Sequence, residues 1–279
     1  MKYKFTKMQG CGNDYIYFDC FEQPVENPAE LSKRLSDRNF GVGGDGIILI
    51  CPSDKADAKM RIFNADGSEG NMCGNGIRCV AKFLYERKGL HKNPITVESK
   101  TGIKTLSLNV NAGKVVTVSV DMGAAKFKTT DIPVIFDADE VVDRTVKIGQ
   151  EDYKITCVSM GNPHCVVFGN DPDDIDLKKI GPLFEHNEIF PEQVNTEFVQ
   201  FIDRHTLKMR VWERGSGETL ACGTGACAVA SAAVKCGLCP VDEDIKILLR
   251  GGELTIRCTP STVFMTGPAE FAFDGEVEV

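Results

Sequence analysis

The chain has 279 residues, 42% apolar and 26% charged, which suits a soluble globular protein of two domains or one large one. Lysine and arginine number 32 against 40 aspartates and glutamates, and the resulting net charge of −8 argues against nucleic-acid and membrane partners. Twelve cysteines in this length fall short of the density of a disulfide-stapled miniprotein.

From the N-terminus, Met1 to Tyr17 carries Lys2, Lys4, Lys7, Asn13 and Asp14 among its apolar residues, so it lacks the apolar core of a secretory signal. No stretch approaches the ~18 apolar residues of a membrane span, and the chain reads as cytoplasmic with its cysteines as thiols. Helical spacing is predicted at 29–36. The glycine-rich stretch Gly41 to Gly46 leads into a strand and lacks the Lys-Ser/Thr ending of a phosphate loop. Strand-like Lys59 to Phe63 comes before Cys73-Gly74-Asn75-Gly76, which opens a helix over 76–88 that Gly89 can stop. Ile103 to Val110 and Lys114 to Val120 alternate around Asn111-Ala112-Gly113, a hairpin signal. Asp131 to Asp143, with Pro133 and several acids, reads as a surface loop. Helical spacing returns at 176–184 and 224–236, the latter opened by Cys222-Gly223-Thr224-Gly225 and ended by Gly237 and Pro240. Glu253 to Cys258 and Thr262 to Thr266 form a second hairpin. The expected class is α+β, mostly antiparallel sheet wrapped on few helices.

The chain also repeats itself. Lys59-Met60-Arg61 returns as Lys208-Met209-Arg210, 149 residues on, and at the same offset Glu69, Cys73, Gly74 and Gly76 meet Glu218, Cys222, Gly223 and Gly225. Gly12-Asn13 falls on Gly161-Asn162 in that register, and Gly46 with its apolar run falls on Asn195-Thr196-Glu197-Phe198-Val199. Three separated segments sharing one offset point to a duplicated domain. The division expected is 1–121 plus 268–279 for the half carrying Cys73, and 122–267 for the half carrying Cys222.

The strongest chemical signal lies inside the repeat. Each cysteine stands before glycines at the start of a helix, where unpaired N–H groups and the helix dipole make an anion site and lower a thiol's pKa. Most other cysteines are expected to be inert small hydrophobes. Cys236-Gly237-Leu238-Cys239 resembles half of a zinc or redox motif, but no second pair at ligand spacing exists, so it reads as a structural helix end. Two equivalent thiols suit inversion of a stereocentre, in which one group removes a proton and the other delivers one to the opposite face. A duplicated domain folded back on itself offers that arrangement, with the active site in the interdomain cleft. The paired anion sites would then hold the carboxylate beside the reacting carbon.

The segments Gly10 to Asp14, Phe63 to Glu69, Cys73 to Arg78, Gly161 to His164, Val194-Asn195 and Trp212 to Gly225 resemble the diaminopimelate epimerase family, in family order and over nearly the whole chain. The resemblance implies interconversion of LL- and meso-diaminopimelate, in lysine and peptidoglycan precursor biosynthesis, without pyridoxal phosphate, metal or other cofactor. It implies two pseudo-symmetric domains, each a barrel-like sheet around a central helix, with the C-terminal strand returning to the first domain. Cys73 and Cys222 match the catalytic thiols. The N–H groups of Gly74, Asn75, Gly223 and Thr224 match a clamp on the α-carboxylate, and Asn13, Asn64, Asn162, Asn195 and Arg214 match substrate-binding positions. Glu213 matches a residue that holds the substrate's amino end and, with His164, tunes the thiols. His91, His186 and His205 carry no such context. Two departures stand out. Gly46 replaces a side-chain amide found in some members, and Phe273-Asp274-Gly275 stands where a tyrosine of the homodimer contact is often found. Homodimerisation remains the expectation. The alternatives are a cofactor-independent racemase of proline, hydroxyproline or histidine, and a non-enzymatic cysteine-based metal or redox protein.

Overall fold

The computed structural model describes residues 2–278. The chain divides into two compact units, Met1–Asp121 with Thr266–Val279, and Met122–Met265. The second unit thus ends two residues earlier than the sequence placed it, because the boundary falls inside a strand, Val263–Pro268.

The first unit begins with β1 (Lys2–Gly10) and β2 (Asn13–Asp19), a tight antiparallel pair. After α1 (Pro28–Ser36) come β3 (Gly46–Cys51), β4 (Ala58–Asn64) and the short β5 (Glu69–Gly70). β3 lies parallel to β2, with Tyr15 opposite Gly46, and antiparallel to β4, with Gly46 opposite Asn64. Buried on both faces, β3 reads as the unbroken apolar run Ile47 to Ile50. Next is α2 (Gly74–Glu86), then β6 (Ile95–Ser99), β7 (Gly102–Asn111) and β8 (Lys114–Asp121), which continue the sheet from β4. Every residue of α2 from Gly74 to Leu84 is buried, and it packs against β1, β2, β6, β7 and β8. A helix enclosed on every side is the centre of a core rather than its lid.

The second unit repeats the plan. β9 (Arg144–Ile148) pairs with β10 (Glu151–Ser159), which pairs with β11 (Pro163–Gly169). After α3 (Leu177–Glu185), β12 (Asn195–Asp203) lies parallel to β11 with His164 opposite Asn195, each 149 residues beyond Tyr15 and Gly46. β13 (Thr206–Glu213), β14 (Gly217–Thr219), α4 (Gly223–Lys235), β15 (Asp244–Leu249) and β16 (Gly252–Cys258) follow. α4 packs against β10, β11, β12, β15 and β16, as α2 does against its own strands. β17 (Val263–Pro268) then leads to β18 (Glu270–Glu278), which pairs along the whole of β1. The duplication extends to side chains: Arg61 Nε donates to Glu69 Oε1 at 2.8 Å, and Arg210 Nε donates to Glu218 Oε1 at the same distance.

Two expectations need correction. The helix expected over 76–88 starts at Gly74 and ends at Glu86, because the Cys73 side chain caps it and the Arg87 N–H closes on Phe83 O. The segment Asp131–Asp143 is not a surface loop. Ile132, Val134 and Val141 are buried in a core with Ile155, Phe184 and Phe198, while Asp131, Asp137 and Asp139 face solvent. Its acids obscured an alternation that buries every other position near its start.

Candidate active site

Cys73 and Cys222 hold the same local structure. Each is the N-cap of its central helix with extended backbone (φ −129°, ψ 118° and φ −114°, ψ 111°). In each the sulfur accepts the N–H of the residue three places on, Gly76 or Gly225, at 3.3 Å. The sulfur thus does the work a serine or aspartate oxygen does at most helix starts, and it faces the positive end of a buried helix. The sequence-matched glycines are required here: a Cβ at Gly76 would come within 2.5 Å of Ile48 Cδ1, and one at Gly225 within 2.7 Å of Glu197 Oε1.

Around Cys73, Asn13 is the nearest of the sequence-selected residues. The Cys73 thiol donates to Asn13 Oδ1 at 3.2 Å, while Asn13 Nδ2 donates to Asp45 Oδ2 at 2.6 Å. Tyr15 also hydrogen-bonds the Cys73 sulfur, and burial pushes the phenol well above its ordinary pKa, an effect that ionisation of Cys73 adds to. Asn75 turns its side chain to Arg78, whose Nη1 donates to Oδ1 at 3.0 Å. Asn64 is exposed at the end of β4 and donates to Ser68 Oγ at 3.0 Å.

Around Cys222, five of the expected residues form one connected set. Thr224 Oγ1 lies 3.5 Å from the sulfur and 3.3 Å from Asn162 Nδ2. Asn162 Oδ1 lies 3.1 Å from His164 Nε2, and His164 Nδ1 lies 2.7 Å from Glu197 Oε1. Glu213 accepts from Thr219 Oγ1, and it too contacts the Cys222 sulfur. Burial raises the Glu213 carboxyl above its usual range. Asn195 braces the edge of the set, donating to Pro163 O at 2.8 Å and accepting the Arg214 N–H at 2.9 Å. Arg214 is exposed, with its guanidinium on Glu192 O at 2.9 Å.

One sequence expectation fails at Cys222. The helix dipole was expected to ease ionisation of both thiols, yet Cys222 is pushed well above the ordinary thiol pKa. Burial is the largest cause and the Glu213 and Glu197 carboxylates add to it; the Gly225 N–H and Thr224 hydroxyl pull the other way and lose. Gly46 also needs revision as a lost side-chain contact. A Cβ there would lie 2.1 Å from Phe63 O, so the β3–β4 pairing closes the position to any side chain.

Sequence reasoning missed Asp45, Tyr15 and Glu197. Tyr15 and Glu197 had a signal in the repeat, as the counterparts of His164 and Ile48, and Glu197 is the acid in an otherwise buried run, Asn195 to Val199. Asp45 had none, since an acid in a glycine loop is ordinary.

Residues 5–128 and 156–272 match the family described as diaminopimelate epimerase. The chain is 53% identical over 278 residues to a diaminopimelate epimerase of Methanococcus maripaludis, covering 99% of this chain and all of that one. It is also 53% identical over 278 residues to one of Acetivibrio thermocellus, covering 99% of each. Among solved structures, a Bacillus anthracis phenazine biosynthesis protein of the PhzF family superposes with a TM-score of 0.73 at 18% identity, covering 100% of both chains. A hydroxyproline epimerase from Agrobacterium vitis does so with a TM-score of 0.69 at 13% identity, covering 99% of this chain and 91% of that one. These two share the fold. Near-complete coverage at 53% identity goes further, and the chain belongs to the diaminopimelate epimerase family.

Proposed function

We propose that this chain interconverts LL- and meso-2,6-diaminopimelate, with Cys73 and Cys222 as the acid/base pair. One sulfur, as thiolate, removes the Cα proton and becomes a thiol. The other, as thiol, gives its proton to the opposite face of the same carbon and becomes a thiolate. The two sulfurs end the turnover with their protonation states exchanged, and no electrons leave the substrate. The negative charge that develops on the substrate lies next to its α-carboxylate, where the N–H groups of Gly74, Asn75, Gly223 and Thr224 are the donors. Glu213 takes the substrate's ammonium group. Asn13 binds substrate beside Cys73, and Arg214, with Asn64, Asn162 and Asn195, receives the distal zwitterionic end, for which a guanidinium fork suits a carboxylate.

The observation that carries this reading is the identical capping of two buried helices by two cysteines 149 residues apart, each sulfur 3.3 Å from a backbone N–H. The relatives named diaminopimelate epimerase supply the substrate. The same reading makes the protein a homodimer in the reducing cytoplasm, which suits twelve cysteines all present as thiols. It calls for no nucleic-acid or membrane partner.

The test is turnover in deuterium oxide, started separately from LL- and meso-diaminopimelate, with proline and histidine as controls. Deuterium should enter Cα of the product from either starting isomer of diaminopimelate and from neither control. Exchange with proline or histidine alone would give the activity to a different amino acid.

A further inference from the structure

Beneath the two cysteine turns, the copies of the motif part company. Ile48 on β3 and Glu197 on β12 stand 149 residues apart and fill the same place, directly under Gly76 and Gly225. One copy sets an apolar side chain below the first turn of its helix. The other sets a carboxylate whose side chain has 0% exposure. The residue beside it differs in parallel, Tyr15 in the first copy and His164, also 0% exposed, in the second.

Glu197 is costly to keep there. Its Oε1 meets His164 Nδ1 at 2.7 Å, but among the described residues its Oε2 has no hydrogen-bond partner. A buried carboxylate half satisfied in this way destabilises a fold, whereas an isoleucine, as in the first copy, would not. The groups facing it are His164 and Cys165 from β11, Glu213 from β13, and Cys222 with Gly225 from α4. Its negative charge sits at the positive end of α4 and so competes with a Cys222 thiolate for the same field. A chain of contacts also runs from it to the sulfur, through His164, Asn162 and Thr224, with no step longer than 3.5 Å.

We propose that Glu197 is a positioning residue that gives the two thiols unequal resting roles: it fixes the His164–Asn162–Thr224 chain and makes Cys222 the proton-bearing member of the pair. The proposal rests on the two-thiol reading above. As an acceptor, the carboxylate takes the Nδ1–H of His164 and orients the ring so that Nε2–H donates to Asn162 Oδ1, while Asn162 Nδ2 donates on to Thr224 Oγ1. The direction of the Cys222 shift agrees, since Glu213 and Glu197 both oppose its ionisation.

The experiment compares wild type, Glu197→Gln and Glu197→Asp. Alkylation of Cys222 by iodoacetamide, a small uncharged reagent, is followed against pH by peptide mass spectrometry, alongside the pH profile of kcat/KM on diaminopimelate and the thermal midpoint. Glu197→Gln should be at least as stable as wild type, should alkylate Cys222 about tenfold faster at a fixed pH below the wild-type inflection, and should move the kcat/KM profile to lower pH by about one unit. Glu197→Asp keeps the charge and should restore the wild-type profile. A Gln variant that folds with an unchanged Cys222 titration and an unchanged kcat/KM profile overturns the proposal, as does an Asp variant that behaves like Gln. Should Gln fail to fold, Glu197→Ile, which installs the side chain the first copy carries at that place, serves as the uncharged variant and is read in the same way. Wild-type protein that leaves diaminopimelate untouched would instead sink the functional reading, while the alkylation series would still decide the part played by Glu197.

Discussion

Lys7 and Asp14 form a 2.6 Å ion pair behind the Asn13–Cys73 contact, with only 8% and 18% of their side chains exposed. Arg38 closes over the same carboxylate at 2.7 Å, and Lys7 donates as well to the carbonyl of Gly43. Burial alone would raise the Asp14 carboxyl, but hydrogen bonds and charge from Arg38 and Lys7 outweigh it and hold it below 3.8. The stability this lends is therefore fully present above the unfolded-state value near 4 and is lost as the pH falls. Replacing Asp14 by Asn should cost about 2 kcal/mol at neutral pH, discounted from a fully buried pair for its partial exposure. Urea unfolding should show the two proteins converging as the solution is acidified, and a gap that widens instead would contradict the assignment.

On the proposed two-thiol mechanism neither thiol can replace the other, because each would serve one face of the carbon. Cys73→Ala and Cys222→Ala should each lower epimerisation by at least about a thousandfold, within the range for loss of a general acid or base. Each should still eliminate a leaving group from a β-substituted diaminopimelate analogue of one configuration, since elimination needs only the base. Opposite configurations for the two variants is the result expected. An alanine variant that still epimerises would remove that cysteine from the mechanism.

Glu213 offers a separate handle on pH. Its carboxyl is raised above 4.5 by burial, so it becomes neutral at a higher pH than an ordinary glutamate and then cannot hold an ammonium group. KM for diaminopimelate should rise on the acid side while the enzyme remains folded. Glu213→Gln should raise KM by roughly 10–100-fold, the worth of a hydrogen bond to a charged group, and should flatten that acid-side rise. Steady-state kinetics across the acid range, with circular dichroism to confirm folding, gives the answer.

At Gly46 the expectation concerns packing alone. Alanine there would press its Cβ against Phe63 O and should destabilise the fold by about 2–3 kcal/mol. Thermal unfolding measures this directly, and a midpoint equal to wild type would mean the β3–β4 pair yields more easily than its geometry implies.

Much of the fold was legible because the repeat is written in residue types that have few structural equivalents. Glycines three residues beyond a cysteine, before an apolar run, specify a helix start wherever they occur, and α2 and α4 both begin there. The Asp131–Asp143 segment was misread because its aspartates are outward-facing neighbours of buried Ile132 and Val134, and composition averages over both faces.

What the linear chain determined by itself was the pair of cysteine caps and the duplicated order of elements around them, since these follow from local spacing, while the other site residues were named by the resemblance to the family. Only the packed structure decided how those sites differ. The burial of Cys222, the carboxylates of Glu197 and Glu213 around it, and the closure of Gly46 by Phe63 come from separate strands brought together by packing. The charge a thiol feels depends on such neighbours and on the water they exclude, and neither is encoded in the residues next to it.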